Sequence, residues 1–288
     1  MKKKAKGKSI YKKQDNIAGY VMLAPWMFGF LLMWFIPMLI SIYYSFTNFN
    51  LLNDAKVIGF DNYIRIFTQD ETFRQALKVT FIYVLFLVPL RLAFALLVAM
   101  LLNKKHKCLG LYRTIYYIPS IIGGSIAVSI VWRQIFGNQG VVMSLLSVFG
   151  INQKASFLGN PHTALGVIIL MGVWQFGSSM LIFLAALKQI PGSLYESAMV
   201  DGAKQWTMFW KITLPMVSSM ILVNIVYTVI DFFLKTDNTV MDRIDAIGIG
   251  GRMDYGQASA MAWVYFLCVI VALGIVSLII SRRVYYYE

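Results

Sequence analysis

Six stretches of this chain are apolar almost throughout, at residues 19–46, 78–102, 114–136, 164–187, 214–235 and 258–281, with polar segments between them. Each is rich in Leu, Ile, Val, Phe and Met, and none alternates apolar and polar residues with period two. A hydrocarbon core of about 30 Å takes roughly 20 apolar residues in a helix at 1.5 Å each. A membrane β-strand would instead read as about ten alternating residues. The pattern predicts an all-α integral membrane protein with six transmembrane helices. The first stretch is far longer than the roughly 7–15-residue core of a secretory signal, and no A-x-A site follows it, so it is expected to remain as a span.

Composition supports this class. Of 288 residues, 59% are hydrophobic and 14% charged, against roughly 45–50% and about 25% in soluble domains. Mean hydropathy is +0.67. The net charge of +13 matters through its placement. The head MKKKAKGKSIYKK, the loop with Lys104, Lys105, Lys107 and Arg113, the loop with Lys188, Lys204 and Lys211, and the tail with Arg282 and Arg283 hold 16 basic and four acidic residues. Leaving aside Arg91 and Asp231 within the stretches, the remainder holds nine basic and eight acidic residues. This alternation follows the positive-inside rule and puts both termini in the cytoplasm of a cell membrane. The basic excess thus reports topology and argues against nucleic acid as a partner. Residues 1–15 read as a disordered basic head held near anionic lipid at most, and 16–288 as one transmembrane domain. Cys108 in a loop and Cys268 in the sixth span are expected not to meet, which excludes a disulfide framework.

The external segments carry less information. In GFDNYIRIFTQDETFRQALK, Phe60, Ile64, Phe67, Phe73 and Leu77 recur at helical spacing, predicting short interfacial helices. The segment from Lys235 to Gln257 is polar and carries Gly248, Gly250 and Gly251.

The loop at 188–215, with KQIPGSLYESAMVDGAKQWTMFWKITLP, is longer than a connection between neighbouring helices requires, typically about 2–8 residues. Pro191-Gly192 predicts a turn, and Ser193 with Glu196 an S-x-x-E capping box. Leu194, Ala198 and Met199 follow at helical spacing, and Gly202 stands where a helix ends in a left-handed residue. A second short amphipathic helix carries Trp206, Phe209 and Trp210, and Pro215 is placed to open the fifth span. Either an interfacial helix resting on lipid or a knob for docking a protein satisfies this pattern.

Within that loop, Glu196-Ser197-Ala198, three residues, Gly202, nine residues, then Ile212-Thr213-Leu214-Pro215 resembles the EAA loop of ABC-importer permeases, E-A-A-x3-G-x9-I-x-L-P. Only Ser197 departs, a small residue for a small one. GYVMLAPWMFGFLLMWFIPMLISIYYSFTNFNLL and DNYIRIFTQDETFRQALKVTFIYV resemble the first span, first external loop and second span of the sugar-type permeases related to the maltose and glycerol-phosphate systems. The resemblance implies that the loop's short helices insert into a groove on a cytoplasmic ATPase subunit and carry its closure to the membrane. Glu196, Ser197, Ala198, Asp201, Gly202, Ile212, Leu214 and Pro215 would then be coupling residues.

Other candidates are weaker. Gly7-Lys8-Ser9 mimics the end of a P-loop, but Lys2 stands where its first glycine should be and no strand precedes it. ATP and Mg would therefore be bound by a partner chain, with no cofactor in this one. His106 and His162 lack metal-site spacing, and no catalytic constellation is identifiable. In the fifth span Asn224, Thr228, Asp231 and Lys235 share one helix face. Intramembrane polar residues usually serve function, so this stripe is expected to line a substrate path; the alternative for Asp231 is an i,i+4 pair with Lys235. Trp174, Gln175 and Ser178 form a similar cluster in the fourth span, offering aromatic faces and hydrogen-bonding groups to a sugar. Arg91 is costly mid-span and calls for a partner in another helix or subunit. Gly123, Gly124 and Ser125 are expected to allow close helix packing.

The expected function is the transmembrane subunit of an ATP-binding-cassette importer, forming half of the path for a sugar, an oligosaccharide or glycoside. Its implied partners are cytoplasmic ATPase subunits, a second related permease and an extracytoplasmic sugar-binding protein. The alternative is a stand-alone secondary transporter or channel for a small polar solute, which would carry an inverted repeat with broken helices and an ion site.

Overall fold

The computed structural model describes residues 7–52, 54–104, 108–138, 140–150, 156–234 and 238–282. The elements, in chain order, are α1 (Gly7–Phe30), a π-helical turn (Leu31–Phe35), α2 (Ile36–Ser45), α3 (Asp61–Thr68), α4 (Glu71–Asn103), α5 (Leu109–Ile122), α6 (Ile126–Phe136) and α7 (Val141–Val148). There follow α8 (Pro161–Trp174), α9 (Gly177–Gln189), α10 (Gly192–Val200), α11 (Gln205–Met208), a second π-helical turn (Phe209–Thr213), α12 (Leu214–Met216), α13 (Ser218–Leu234), α14 (Thr239–Gly248) and α15 (Tyr255–Ser281). Among the described residues, β-structure is limited to the isolated bridges Thr47–Val57 and Asn50–Asp254.

Three helical runs are long and apolar enough to cross a membrane unbroken: Ala18–Ser45, Glu71–Asn103 and Tyr255–Ser281. The other three apolar stretches are bent pairs rather than the straight spans expected from sequence. Gly123, Gly124 and Ser125 form a turn between α5 and α6, with Ser125 Oγ accepting from Val128 N at 3.4 Å as an N-cap. The fourth stretch bends by 45° at residues 175–176, and the fifth by 63° at Val217.

Both π-helical turns end just before an X-Pro pair, Ile36-Pro37 and Leu214-Pro215. A proline ring clashes with the carbonyl four residues back, so the chain widens to i→i−5 bonding: Ile36 N donates to Leu31 O, and Leu214 N to Phe209 O. Pro215 therefore does not open the fifth span as expected. It sits in a helical run from Gln205 to Met216, and the span helix α13 begins after the bend.

The described residues divide into two compact units, one of those up to Gln75 with Val240–Leu267, the other of Ala76–Thr239 with those from Cys268 onward. In the first, Asn62 of α3 is fully enclosed and its Nδ2 donates to Ser45 O (2.9 Å) and Thr47 O (2.8 Å), satisfying carbonyls that α2 leaves open at its C-terminus. Ile64 and Phe67 are exposed on α3, as is Phe60 just before it, while Ile66 is buried. Asp70 caps α4 by accepting from Phe73 N at 2.8 Å, and its other carboxylate oxygen takes Arg243 Nη2 at 2.8 Å.

In the second unit α5 packs on α9, and α9 on α13. Gly177 makes the α5–α9 approach possible, because a Cβ there would fall 2.4 Å from Tyr116 O and 2.7 Å from Tyr117 Cα. Met180, Phe183, Leu184 and Leu187 of α9 are buried at this centre with Val217 and Val229. Phe176 stacks edge-on against Phe94 at 4.8 Å.

Candidate functional site

Two features of the second unit gather the polar and exposed residues picked out in the sequence: an elbow at residues 192–216 and a cavity around Arg91.

The elbow starts at Pro191, whose extended ψ of 130° makes it the N-cap of α10. Ser193 thus falls inside the helix, and the expected capping box with Glu196 is not formed: no side chain caps this N-terminus. The C-terminus is a Schellman turn. Gly202 N donates to Met199 O at 3.0 Å, Ala203 N donates to Ala198 O at 2.9 Å, and Gly202 adopts φ +75. A Cβ on Gly202 meets nothing within 4 Å, so the glycine is required by backbone conformation and not by crowding within this chain. Glu196, Ser197, Asp201 and Gly202 are exposed, Ala198 is half-buried, and Val200 is 88% exposed. Ser197 Oγ donates back to Leu194 O at 3.2 Å.

From Gln205 the chain runs through the second π-helical turn to Met216. Ile212, Leu214 and Pro215 are half-buried, and Thr213 is buried. Tyr195 Oη and Thr213 Oγ1 lie 2.9 Å apart, a hydrogen bond that ties α10 to the approach of the fifth span. No sequence signal marked Tyr195, because only the fold brings it to a residue 18 positions away. Trp206, Phe209 and Leu214 line one end of an apolar groove of about 780 Å³ that also holds Val88, Leu92 and Phe183.

The cavity, about 190 Å³, lies among α4, the 123–125 turn, α8 and the C-terminal part of α13. Its polar lining comprises Thr80, Tyr83, Arg91, Gln175, Asp231, Asn238 and Thr239. Arg91 Nη1 stands 3.8 Å from Asp231 Oδ2, so the partner that Arg91 called for is Asp231 in the same chain. Lys235, the alternative partner of Asp231, lies outside the described residues. Gln175 Nε2 donates to Gly123 O at 3.3 Å, and Thr80 Oγ1 lies 3.3 Å from Thr239 Oγ1. Gly172 lets α8 approach α4: a Cβ there would fall 2.4 Å from Tyr83 Oη and 2.5 Å from Leu87 Cδ1.

The fifth-span stripe is thereby divided. Asp231 lines the cavity, whereas Asn224 and Thr228 are 0% exposed. Asn224 Nδ2 donates to Met220 O at 3.1 Å, but Asn224 Oδ1, Thr228 Oγ1 and Ser179 Oγ are buried with no hydrogen-bond partner among the described residues. The fourth-span cluster divides too. Gln175 lines the cavity, Ser178 N donates to Ser120 Oγ at 3.1 Å, and Trp174 meets Trp132 edge-on at 5.9 Å. Gly123 and Gly124, expected only to pack helices, form part of the cavity wall.

Residues 81–286 match the family described as "Binding-protein-dependent transport system inner membrane component". The chain is 46% identical to the probable ABC transporter permease protein YesP of Bacillus subtilis (strain 168), over 98% of this chain and 94% of that one. It is 33% identical to the lactose transport system permease protein LacF of Rhizobium radiobacter, over 75% and 72% of the two chains. Among solved structures, a bacterial ABC transporter involved in import of the acidic polysaccharide alginate matches with a TM-score of 0.76 and 26% identity, over 95% of this chain and 99% of that one. More than two-thirds of the chain lies in the matched region, and the similarity to YesP extends over nearly all of it: this protein belongs to the family of inner-membrane components of binding-protein-dependent transport systems.

Proposed function

We propose that this chain is the transmembrane subunit of an ATP-driven sugar importer, taking an oligosaccharide or glycoside and forming half of its path. The elbow carries the reading. An exposed helix ends on left-handed Gly202 and is hydrogen-bonded through Tyr195 to Thr213 at the foot of a span, so a force applied to α10 reaches the membrane without first being lost in a slack loop. Glu196, Ser197, Ala198, Asp201 and Gly202 form the face offered to a cytoplasmic ATPase, and Ile212, Leu214 and Pro215 form its hinge to the fifth span.

In this reading both termini are cytoplasmic, the protein sits in the cell membrane, and ATP with Mg is bound by the partner chain. A second, related permease completes the path and an extracytoplasmic binding protein delivers the sugar; the dependence on a binding protein in the family description supports the latter. Lactose and alginate in the descriptions of relatives support a carbohydrate substrate. Gln175 and Asp231 face the path through the cavity, with Trp174 and Ser178 in the wall behind them. Asn224 and Thr228 face the path only in the other state of the cycle, when the orphaned atoms on α9 and α13 gain partners.

The test is a mild-detergent purification of the tagged chain from its native membrane, with partners identified by mass spectrometry. An ATPase and a second six-helix permease are expected. Recovery of the chain alone, under conditions in which a control importer stays assembled, would favour a stand-alone transporter.

A further inference from the structure

The guanidinium of Arg91 is enclosed mid-way along α4 yet poorly matched to what surrounds it. Its side chain is 5% exposed, and its contact with Asp231 is a single 3.8 Å approach. A charge-assisted N–H···O bond spans about 2.7–2.9 Å and an arginine–carboxylate pair is often bidentate, so this pair leaves donor capacity unused. Arg91 Nε is buried with no hydrogen-bond partner among the described residues. Holding such a charge inside a span is expensive, and apolar residues of similar volume would do better as packing. The two partners also differ. The Asp231 side chain is 33% exposed, against 5% for Arg91.

We propose that Arg91 is a carboxylate receptor in the translocation cavity, and that the transported sugar is acidic, carrying a uronic-acid ring. Asp231 is the resident counter-ion. It holds Arg91 neutralised while the cavity is empty and is displaced when the substrate carboxylate takes the guanidinium in a two-pronged contact. The remaining lining suits a sugar ring: hydroxyls at Thr80, Tyr83 and Thr239, and amides at Gln175 and Asn238. At about 190 Å³ the cavity is smaller than the roughly 300–1,000 Å³ of a complete small-molecule site. It therefore takes the acidic end of a chain, with the rest against the second permease. A single cation with a carboxylate at its side matches a monoanion better than a phosphate dianion, which would meet Asp231 with twice the repulsion.

This rests on the transport reading above, and the experiment separates the two. The complete assembly in nanodiscs is titrated calorimetrically with digalacturonate, with neutral galactobiose and with galactose 1-phosphate, for wild type, Arg91→Gln and Asp231→Asn. Wild type is expected to bind digalacturonate at least about tenfold more tightly than galactobiose, the effect of one charge-assisted contact. Arg91→Gln is expected to erase that preference, so that digalacturonate binds no more tightly than galactobiose. Asp231→Asn is expected to tighten digalacturonate binding by removing the competitor, and it keeps the test alive if Arg91→Gln fails to assemble. Equal affinity for acid and neutral sugar in wild type, stronger binding of the phosphate, or weakening by both substitutions alike would each overturn the proposal, the last by showing a structural ion pair. Sugar-stimulated ATP hydrolysis by the same assembly gauges the transport reading separately. If no neutral or acidic oligosaccharide stimulates it, that reading fails; if stimulation survives without an acid preference, only the carboxylate receptor fails.

Discussion

Tyr195 and Thr213 meet through their hydroxyls at 2.9 Å, joining the middle of α10 to the last residue of the π-helical turn before Leu214-Pro215. Neither hydroxyl is needed to form its own helix, so the bond's effect is to fix the angle between the elbow and the span. Tyr195→Phe and Thr213→Val are each expected to cost about 1 kcal/mol of stability. The number of sugars moved per ATP hydrolysed in proteoliposomes is expected to fall in both, while the ATPase stays bound. The double variant should behave like either single one, because the two side chains share one interaction. Independent, additive losses would show that the bond does not transmit force.

Gly202 offers a cleaner separation of backbone from partner. At φ +75 a residue with a Cβ is strained by about 1–2 kcal/mol. Its Cβ position is open within this chain, so side-chain size should not matter to the isolated permease. Gly202→Ala is expected to insert and assemble with weakened ATPase retention, and Gly202→Trp to insert but to abolish both transport and ATPase stimulation. Co-purification with the ATPase at increasing salt measures the difference. If Trp is tolerated as well as Ala, no partner surface lies against this turn.

Asp70 and Arg243 make the firmest ion pair among the described residues. Arg243 Nη2 reaches Asp70 Oδ2 at 2.8 Å, and the Asp70 side chain is 4% exposed. Asp70 also caps α4, so removing its partner leaves an enclosed carboxylate held by a backbone N–H. Arg243→Ala is expected to destabilise by about 1.5–3 kcal/mol, read as a lower midpoint of thermal unfolding in detergent. ATPase retention should be unaffected, since the elbow is untouched. Loss of ATPase binding without a change in midpoint would contradict this assignment.

What could be read from sequence follows from the range of the interactions involved. The six apolar stretches and the Gly202 turn were legible because hydropathy and a left-handed glycine act locally. The three bends escaped: Gly123–Ser125 and Val217 are small or apolar, and the single polar Gln175 before Phe176 does not break the hydropathy of the fourth stretch. The capping box at Ser193 and Glu196 is a genuine local signal, displaced when Pro191 took the cap two residues earlier. The pairing of Arg91 with Asp231 spans 140 positions and has no local signature. Likewise, one helix face did not imply one environment: Asp231 reaches the cavity while Thr228, three residues earlier, is 0% exposed.

Thr228 yields a prediction whose two readouts have opposite signs. Its Oγ1 is buried on α13 without a partner, and α13 packs on α9, where Ser179 Oγ is in the same condition. An unsatisfied buried hydroxyl costs about 1–3 kcal/mol, so Thr228→Val, which keeps the shape and removes the polar atom, should stabilise this conformation. The unfolding midpoint of the assembly is expected to rise. If Thr228 gains its partner when the helices part during transport, the same substitution removes a contact made only in that other state, and turnover should fall severalfold with little change in apparent affinity. A higher midpoint with unchanged turnover would make Thr228 a packing residue. A lower midpoint would mean that its hydroxyl is already satisfied in this state.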